Sequence, residues 1–473
     1  MTKPVIFIPG YPGSELRLRN EDKKIFLKLS ALLPPLNKEV LQSLEGPDDL
    51  AQDDGIVAGQ PIPKVLRFLI FDLAKQASSL YDILGHFDID LVKFGWDWRR
   101  PIWDAGTQSR LEHAVRRLRR NSQSKIVAIA HSTGGLLLRR LLEATPTLAN
   151  QFERIIAFGV PWAGLLKSLR YLDGKEGFFT LGNARAQKLI VNSWAAYDLL
   201  PPDPNRSALV DGRGDPLDLV VDGNNRQTSP LIKQAWFPSS LAPKMALRAK
   251  AADRELGGRR ATFQLGGRRL PITNIVGWGA RTTVQARITG SGSNQRIHSW
   301  KQATDPGELD GGDGTVPYRS ASWLRGDLVT QFHVPIGFFS GATRFPHSSL
   351  WRNPGGRNLL QHLLGNEELK PFVYAAVDED DFRNRDRVNV RVRLSTLDDI
   401  GRPLDEVRVR TTDLTSADQI DRSFGAGDGR HRISVPRKRM RLVHGNRFRR
   451  FSLRISWDGG SVDRALLVSE ISG

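Results

Sequence analysis

Ala130-His131-Ser132-Thr133-Gly134 sets a hydroxyl at the end of the apolar run "KIVAIA" (125–130) and ahead of "LLLRRLL" (136–142). That strand–turn–helix setting fits the G-x-S-x-G nucleophile elbow, with Ala in the first Gly position. The turn is so tight that the residues two before and two after the serine must be small, as Ala130 and Gly134 are. It pushes the serine Oγ out at the carboxyl edge of a sheet and aims the first helix amides at whatever the serine attacks. The competing reading is a buried serine capping a helix, which this setting does not favour.

A serine needs a base held by a carboxylate, and in this arrangement the chain order is Ser, then Asp or Glu, then His. "DGGDGTVPYRS" (310–320) offers Asp313 on a Gly-rich loop where a late strand should end, with Asp310 as its competitor. A turn carboxylate bonding its own backbone is the alternative role for Asp313. Five histidines follow: His333, His347, His362, His431 and His444. His333 falls in an apparent strand, His362 in a helix, and the last two in a β-rich C-terminal part. His347, in "RFPHSSLW", occupies a loop before the final helix, behind Pro346, and is the candidate base. A surface-loop histidine is the bland alternative. For the oxyanion, the Thr133 amide supplies one donor, and "FIPGYPGSEL" (7–16) supplies a second at Tyr11.

These residues need a sheet to hold them. "PVIFIPG", "IDLVKFGW", "KIVAIAHS", "RIIAFGVP" and "ITNIVGWG" read as short apolar strands covered on both faces. "FDLAKQASSLYDIL" (71–84) and "QSRLEHAVRRLRR" (108–120) carry helix-period apolar residues. Alternating elements of this kind predict an α/β fold with a mostly parallel sheet and helices on both faces, over about residues 1–370. Insertions at about 30–62 and 164–270 should form caps. From 371 to 473 the pattern turns to period two, as in "RVNVRVRL" and "EVRVRTTDL", predicting an antiparallel β domain of sandwich type with solvated Arg-bearing faces.

In order along the chain, "PVIFIPGYPGSELRL", "GWDWRRP", "IAHSTGG", "FGVPWAG", "NSWAAYDLLP", "GDGTVPYRS" and "HSSL" resemble the lecithin:cholesterol acyltransferase family of α/β-hydrolases, its phospholipase A and phospholipid acyltransferase branches included. The resemblance spans about residues 3–368. It implies Ser132, Asp313 and His347 as the triad and the amides of Tyr11 and Thr133 as the oxyanion hole. It matches Asp97-Trp98-Arg99 to an element near the catalytic face, for which a structural salt bridge is the favoured reading. Trp162 and Trp194 are candidates for an acyl groove, with a core role for Trp162 nearly as well supported. Stretch 30–62 has neither Cys nor Trp, unlike the disulfide-closed membrane loop of the secreted members. The C-terminal β part has no counterpart in the family.

The expected activity is serine-dependent acyl hydrolysis or O-acyl transfer on a phospholipid-type ester, without cofactor or metal. The alternatives are a soluble esterase or amidase on small substrates and a catalytically silent binding scaffold. The chain has no cysteine, which removes thiol nucleophiles, disulfides and thiolate metal sites. It shows no apolar run of roughly 18–20 residues and no signal peptide, so a cytoplasmic location is expected. A net charge of +18 favours contact with an anionic membrane surface, whereas nothing resembles a nucleic-acid-binding motif. No partner for the β domain can be named.

Overall fold

The computed structural model describes residues 2–19, 54–61, 80–175, 187, 190–191, 193–201, 208–217, 264–265, 268–278, 280–290, 296–303, 312–324, 328–335, 347–352, 354–365, 372–377, 389–397, 406–413, 419–425, 430–436, 448–457 and 460–469. In β1 (Lys3–Ile8) every residue after Lys3 is buried. Val5 and Phe7 join one apolar layer, Ile6 and Ile8 the other. This two-sided burial is why the strand reads as an unbroken apolar run rather than an alternating one. β2 (Ser14–Leu18) and β3 (Ile56–Pro61) form a separate antiparallel pair.

β4 (Ile89–Lys93), β5 (Ile126–His131), β6 (Phe152–Phe158), β10 (Ile272–Trp278) and β13 (Val329–Pro335) complete the central sheet with β1. Its order is β13-β10-β6-β5-β1-β4, and every pairing is parallel. Between β4 and β5 runs α1 (Ala105–Arg120), which buries Thr107, Leu111, Val115 and Leu118 at helical spacing. It begins three residues earlier than the periodicity predicts, because the Asp104 carboxylate accepts the Thr107 N–H at 2.8 Å and caps it. α2 (Thr133–Ala144) packs in the same layer. The opposite layer holds the helical turn 80–84 and, near the end of the sheet region, the helix Pro354–Gly365. The rest of the helix predicted over 71–84 lies outside the described residues.

Further short elements lie between the strands of the central sheet. α3 (Lys167–Leu172), α4 (Trp194–Asp198) and β7 (Leu209–Val210) follow β6, and a two-residue pair joins β8 (Gln264–Leu265) to β9 (Arg268–Arg269). After β10 comes the hairpin β11 (Thr282–Thr289) and β12 (Arg296–Ala303), which captures β7 in a three-stranded sheet. α5 (Tyr318–Ala321) precedes β13, and Pro354–Gly365 is α6.

Towards the C-terminus stand two antiparallel sheets, in which four of the seven strands fall on stretches where the period-two pattern puts them. One orders β14 (Phe372–Val377), β15 (Asn389–Leu397) and β18 (Arg430–Pro436) side by side. The other runs β17 (Gln419–Phe424), β16 (Val407–Asp413), β19 (Phe448–Trp457), β20 (Gly460–Ser469). On β16 the buried Val407 and Val409 alternate with the exposed Arg408 and Arg410, and Arg410 meets Asp421 of β17 at 2.9 Å. Among the described residues no helix is long and apolar enough to cross a membrane.

Candidate active site

β5 ends at His131 and α2 starts at Thr133, so Ser132 alone makes the turn, with φ 52° and ψ −129°. A non-glycine residue held there stores strain of about 1–3 kcal/mol. The surroundings enforce it. Ser132 N–H donates to the Phe158 carbonyl at 2.9 Å, tying the turn to the end of β6. A Cβ on Gly134 would lie 2.4 Å from the Ile8 oxygen and 2.7 Å from that of Pro9, so only glycine lets α2 start against the end of β1. Gly10 is equally close on the other side, where a Cβ would stand 2.6 Å from the Ser132 Cβ.

Asp313 is distant in sequence from the end of β10, yet the chain returns there. Ala280, just past β10, donates its N–H to the Gly312 carbonyl at 2.9 Å. The Gly312 and Gly314 amides both donate to Thr282 Oγ at 2.9 Å, pinning the loop. Asp313 is wholly buried; its Oδ1 accepts the N–H groups of Thr315 (3.0 Å) and Val316 (2.7 Å). Its Oδ2 lies 2.6 Å from His347 Nδ1. That contact assigns the ring proton to Nδ1 and leaves Nε2 as the basic nitrogen. His347 opens a 3₁₀ turn, His347–Ser349, between β13 and α6. Asp310 and Pro346 lie outside the described residues.

The three side chains share one rim of the sheet. Gly159, at φ 53°, follows Phe158, whose carbonyl holds the Ser132 amide. A Cβ on Gly159 would come 2.9 Å from Asp313 Oδ2 and 3.0 Å from His347 Cε1. The ring of His131, next to Ser132, stands 4.7 Å from the His347 ring. Gly159 was not singled out in the sequence, although "FGVPWAG" carried the signal.

Residues 82–210 match the lecithin:cholesterol acyltransferase family. The matched stretch runs from β4 through Ser132 to β7, and Asp313 and His347 fall beyond it. A search of curated protein sequences finds no match. Solved structures similar to the chain include the Tle4-Tli4 complex (13% identity, 74% of this chain and 96% of that one, TM-score 0.44). Bacillus licheniformis lipase BlEst2 in mature form is another (11%, 77% and 92%, TM-score 0.31). So is phospholipase PlaB from Legionella pneumophila (12%, 98% and 89%, TM-score 0.28). With its parallel sheet and two helical layers, the chain has the α/β architecture that the sequence reading expects.

Around Ser132, Asp313 and His347 the other residues singled out in the sequence fall as follows. Thr133 opens α2, where the first amides have no intrahelical acceptor. Tyr11 follows Gly10, and its ring meets Trp98 edge-on at 5.5 Å; burial pushes its phenol up, and a hydrogen bond with Ser193 opposes this. Asp97 and Arg99 form a buried ion pair at 2.6 Å, which Asp54 extends at 2.7 Å. Burial would lower the Arg99 guanidinium, but Asp97 and Asp54 outweigh it and raise it. This is the structural salt bridge. Trp162 is buried and its indole N–H donates to Asn274 Oδ1 at 3.1 Å, while Trp194 packs edge-on to Trp103 at 6.2 Å. Among the described residues no cluster of three or more His, Asp or Glu could hold a metal ion.

Proposed function

We propose that the chain is a serine-dependent lipid acyl hydrolase or O-acyltransferase that works through an acyl-enzyme. The observation that carries this is the 2.6 Å contact of Asp313 with His347, on the rim where Ser132 stands in its strained turn. In this reading His347 Nε2 takes the Ser132 proton as Oγ attacks an ester carbonyl. The amides of Tyr11 and Thr133 donate to the oxyanion. Asp313 holds the imidazole tautomer and stabilises the imidazolium. Collapse of the tetrahedral intermediate breaks the ester bond, and the imidazolium protonates the departing alcohol. Water or a lipid alcohol then attacks the acyl-serine, giving a free acid or a new ester.

The lecithin:cholesterol acyltransferase match supports a phospholipid-type ester as donor. Trp162 and Trp194, each 5% exposed, are the candidates for contact with the acyl chain. Contact with an anionic bilayer follows from the net charge of +18. The decisive experiment incubates the wild type and Ser132→Ala with mixed phospholipids, with and without a sterol or diacylglycerol, and reads products by mass spectrometry. Lysophospholipid and fatty acid, or a new acyl ester, are expected from the wild type alone. Identical lipid profiles, with Ser132-dependent cleavage of short p-nitrophenyl esters only, would reject the lipid substrate and keep the hydrolase.

A further inference from the structure

His131 is the last residue of β5, and the chemistry above leaves its ring unused. That ring is buried, 5% exposed, and wedged between two others. On one side the His347 imidazole lies 4.7 Å away at a tilt of 36°. On the other, Trp351 meets it edge-on at 4.8 Å and is itself braced edge-on by Phe158 at 5.8 Å. Among the described residues its Nε2 has no hydrogen-bond partner. A solitary buried polar nitrogen is destabilising, so an apolar ring would pack more favourably at this place.

We propose that His131 is a positioning residue for His347: an uncharged aromatic wall that fixes the plane of the base and keeps water from that face. The proposal rests on the reading of His347 as the general base. Burial holds the His131 ring neutral by driving its pKa well below 6.5; the neighbouring His347 acts in the same sense and a backbone hydrogen bond with His347 opposes. Asp313 faces His347 at 2.6 Å, and Lys167 of α3 reaches only as far as Thr315 of the Asp313 loop, at 3.3 Å. Trp351 and Phe158 bring no charge. The imidazolium formed in the reaction is therefore balanced by Asp313 across one edge and met by a neutral ring on the flank. A charged or missing flank would change both its orientation and its access to water.

The test compares wild type, His131→Phe and His131→Ala on a soluble p-nitrophenyl ester across pH, with Ser132→Ala as blank. His131→Phe, which keeps a flat neutral ring, should hold kcat within about 3-fold and leave the acidic limb of kcat/KM in place. His131→Ala should lower kcat by about 10-fold or more with KM within about 2-fold, and move that limb to higher pH as water reaches the imidazolium. If the Ala variant does not fold, His131→Leu, which fills the space without a flat ring, replaces it, with the same fall in kcat expected and the acidic limb left in place. Unchanged kcat and pH profile in His131→Ala, or an equal fall in His131→Phe, overturns the wall. No difference between wild type and Ser132→Ala overturns the hydrolase reading and the wall with it, whereas Ser132-dependent turnover isolates the wall as the failing part.

Discussion

At the scale of single residues, the neutrality of His131 has a thermodynamic consequence that activity does not report. In the unfolded chain this ring takes up a proton near pH 6.5, while the folded protein refuses it until well below. Between those two values the unfolded state binds more protons, so its population is favoured as pH falls. The stabilisation is complete above about pH 6.5 and declines below it, by at most about 1.4 kcal/mol per pH unit from this one group. Urea unfolding of wild type and His131→Phe between about pH 4.5 and 7.5 should show a flatter dependence for the variant. Parallel curves would mean that His131 is charged or solvated in the native protein. Ser132, Asp313 and His347 could be singled out in the sequence because acyl-transfer chemistry demands particular residue types in a particular chain order. The part played by His131 was not, because it depends on Trp351 and His347, which arrive from more than two hundred residues away.

Elements explain what held and what slipped. β1, β5 and β6 were readable because burial on both faces leaves only apolar residues to choose from. β11 and β12 were not, since two register irregularities in their ladder break the alternation that would have marked them. β17 escaped for another reason: Asp421, Arg422 and Ser423 in its middle are exposed, and the charged Arg422 interrupts the alternation between Ile420 and Phe424. The hairpin matters to the site, because it is the detour that returns Asp313 to the end of β10. At the other end of the rim, the Gly10 backbone packs directly on the Ser132 side chain and the His131 carbonyl. Gly10→Ala would drive a methyl to 2.6 Å from the Ser132 Cβ, and neither segment can yield without moving the nucleophile. A displacement of about 1 Å can cost about 100-fold in rate. Fluorophosphonate labelling of Ser132 should slow by that order, while the thermal midpoint falls only by the few degrees of an overpacked site. Wild-type labelling in a folded Gly10→Ala protein would show that the elbow is looser than its contacts imply.

For the whole molecule, the question is how a net charge of +18 relates to the rim where chemistry is proposed. α1 collects exposed arginines towards its end, Arg116, Arg117 and Arg120, and Glu112 neutralises only Arg116, at 2.8 Å. Cations there complement the helix dipole, which is reason enough for them locally. Their position decides the rest. α1 ends at Arg120, shortly before β5 begins at Ile126, and Ser132 stands at the far end of that strand. Six residues of strand span about 20 Å, so the basic end of α1 and the nucleophile lie at opposite edges of the sheet. A lipid reaching Ser132 must come to the edge that α1's arginines do not face. Vesicle binding driven by the overall field should weaken as salt rises from about 0.05 to 0.5 M, over which the screening length shortens severalfold. The double substitution Arg117→Gln/Arg120→Gln should leave turnover on anionic vesicles within about 2-fold of wild type, because these two charges sit away from the bilayer during catalysis. A loss confined to vesicle substrates, with a soluble ester hydrolysed normally, would place the membrane at the amino edge of the sheet. That outcome would overturn the assignment of the docking edge and leave the lipid substrate standing, because the wild type would still be turning vesicle lipid over.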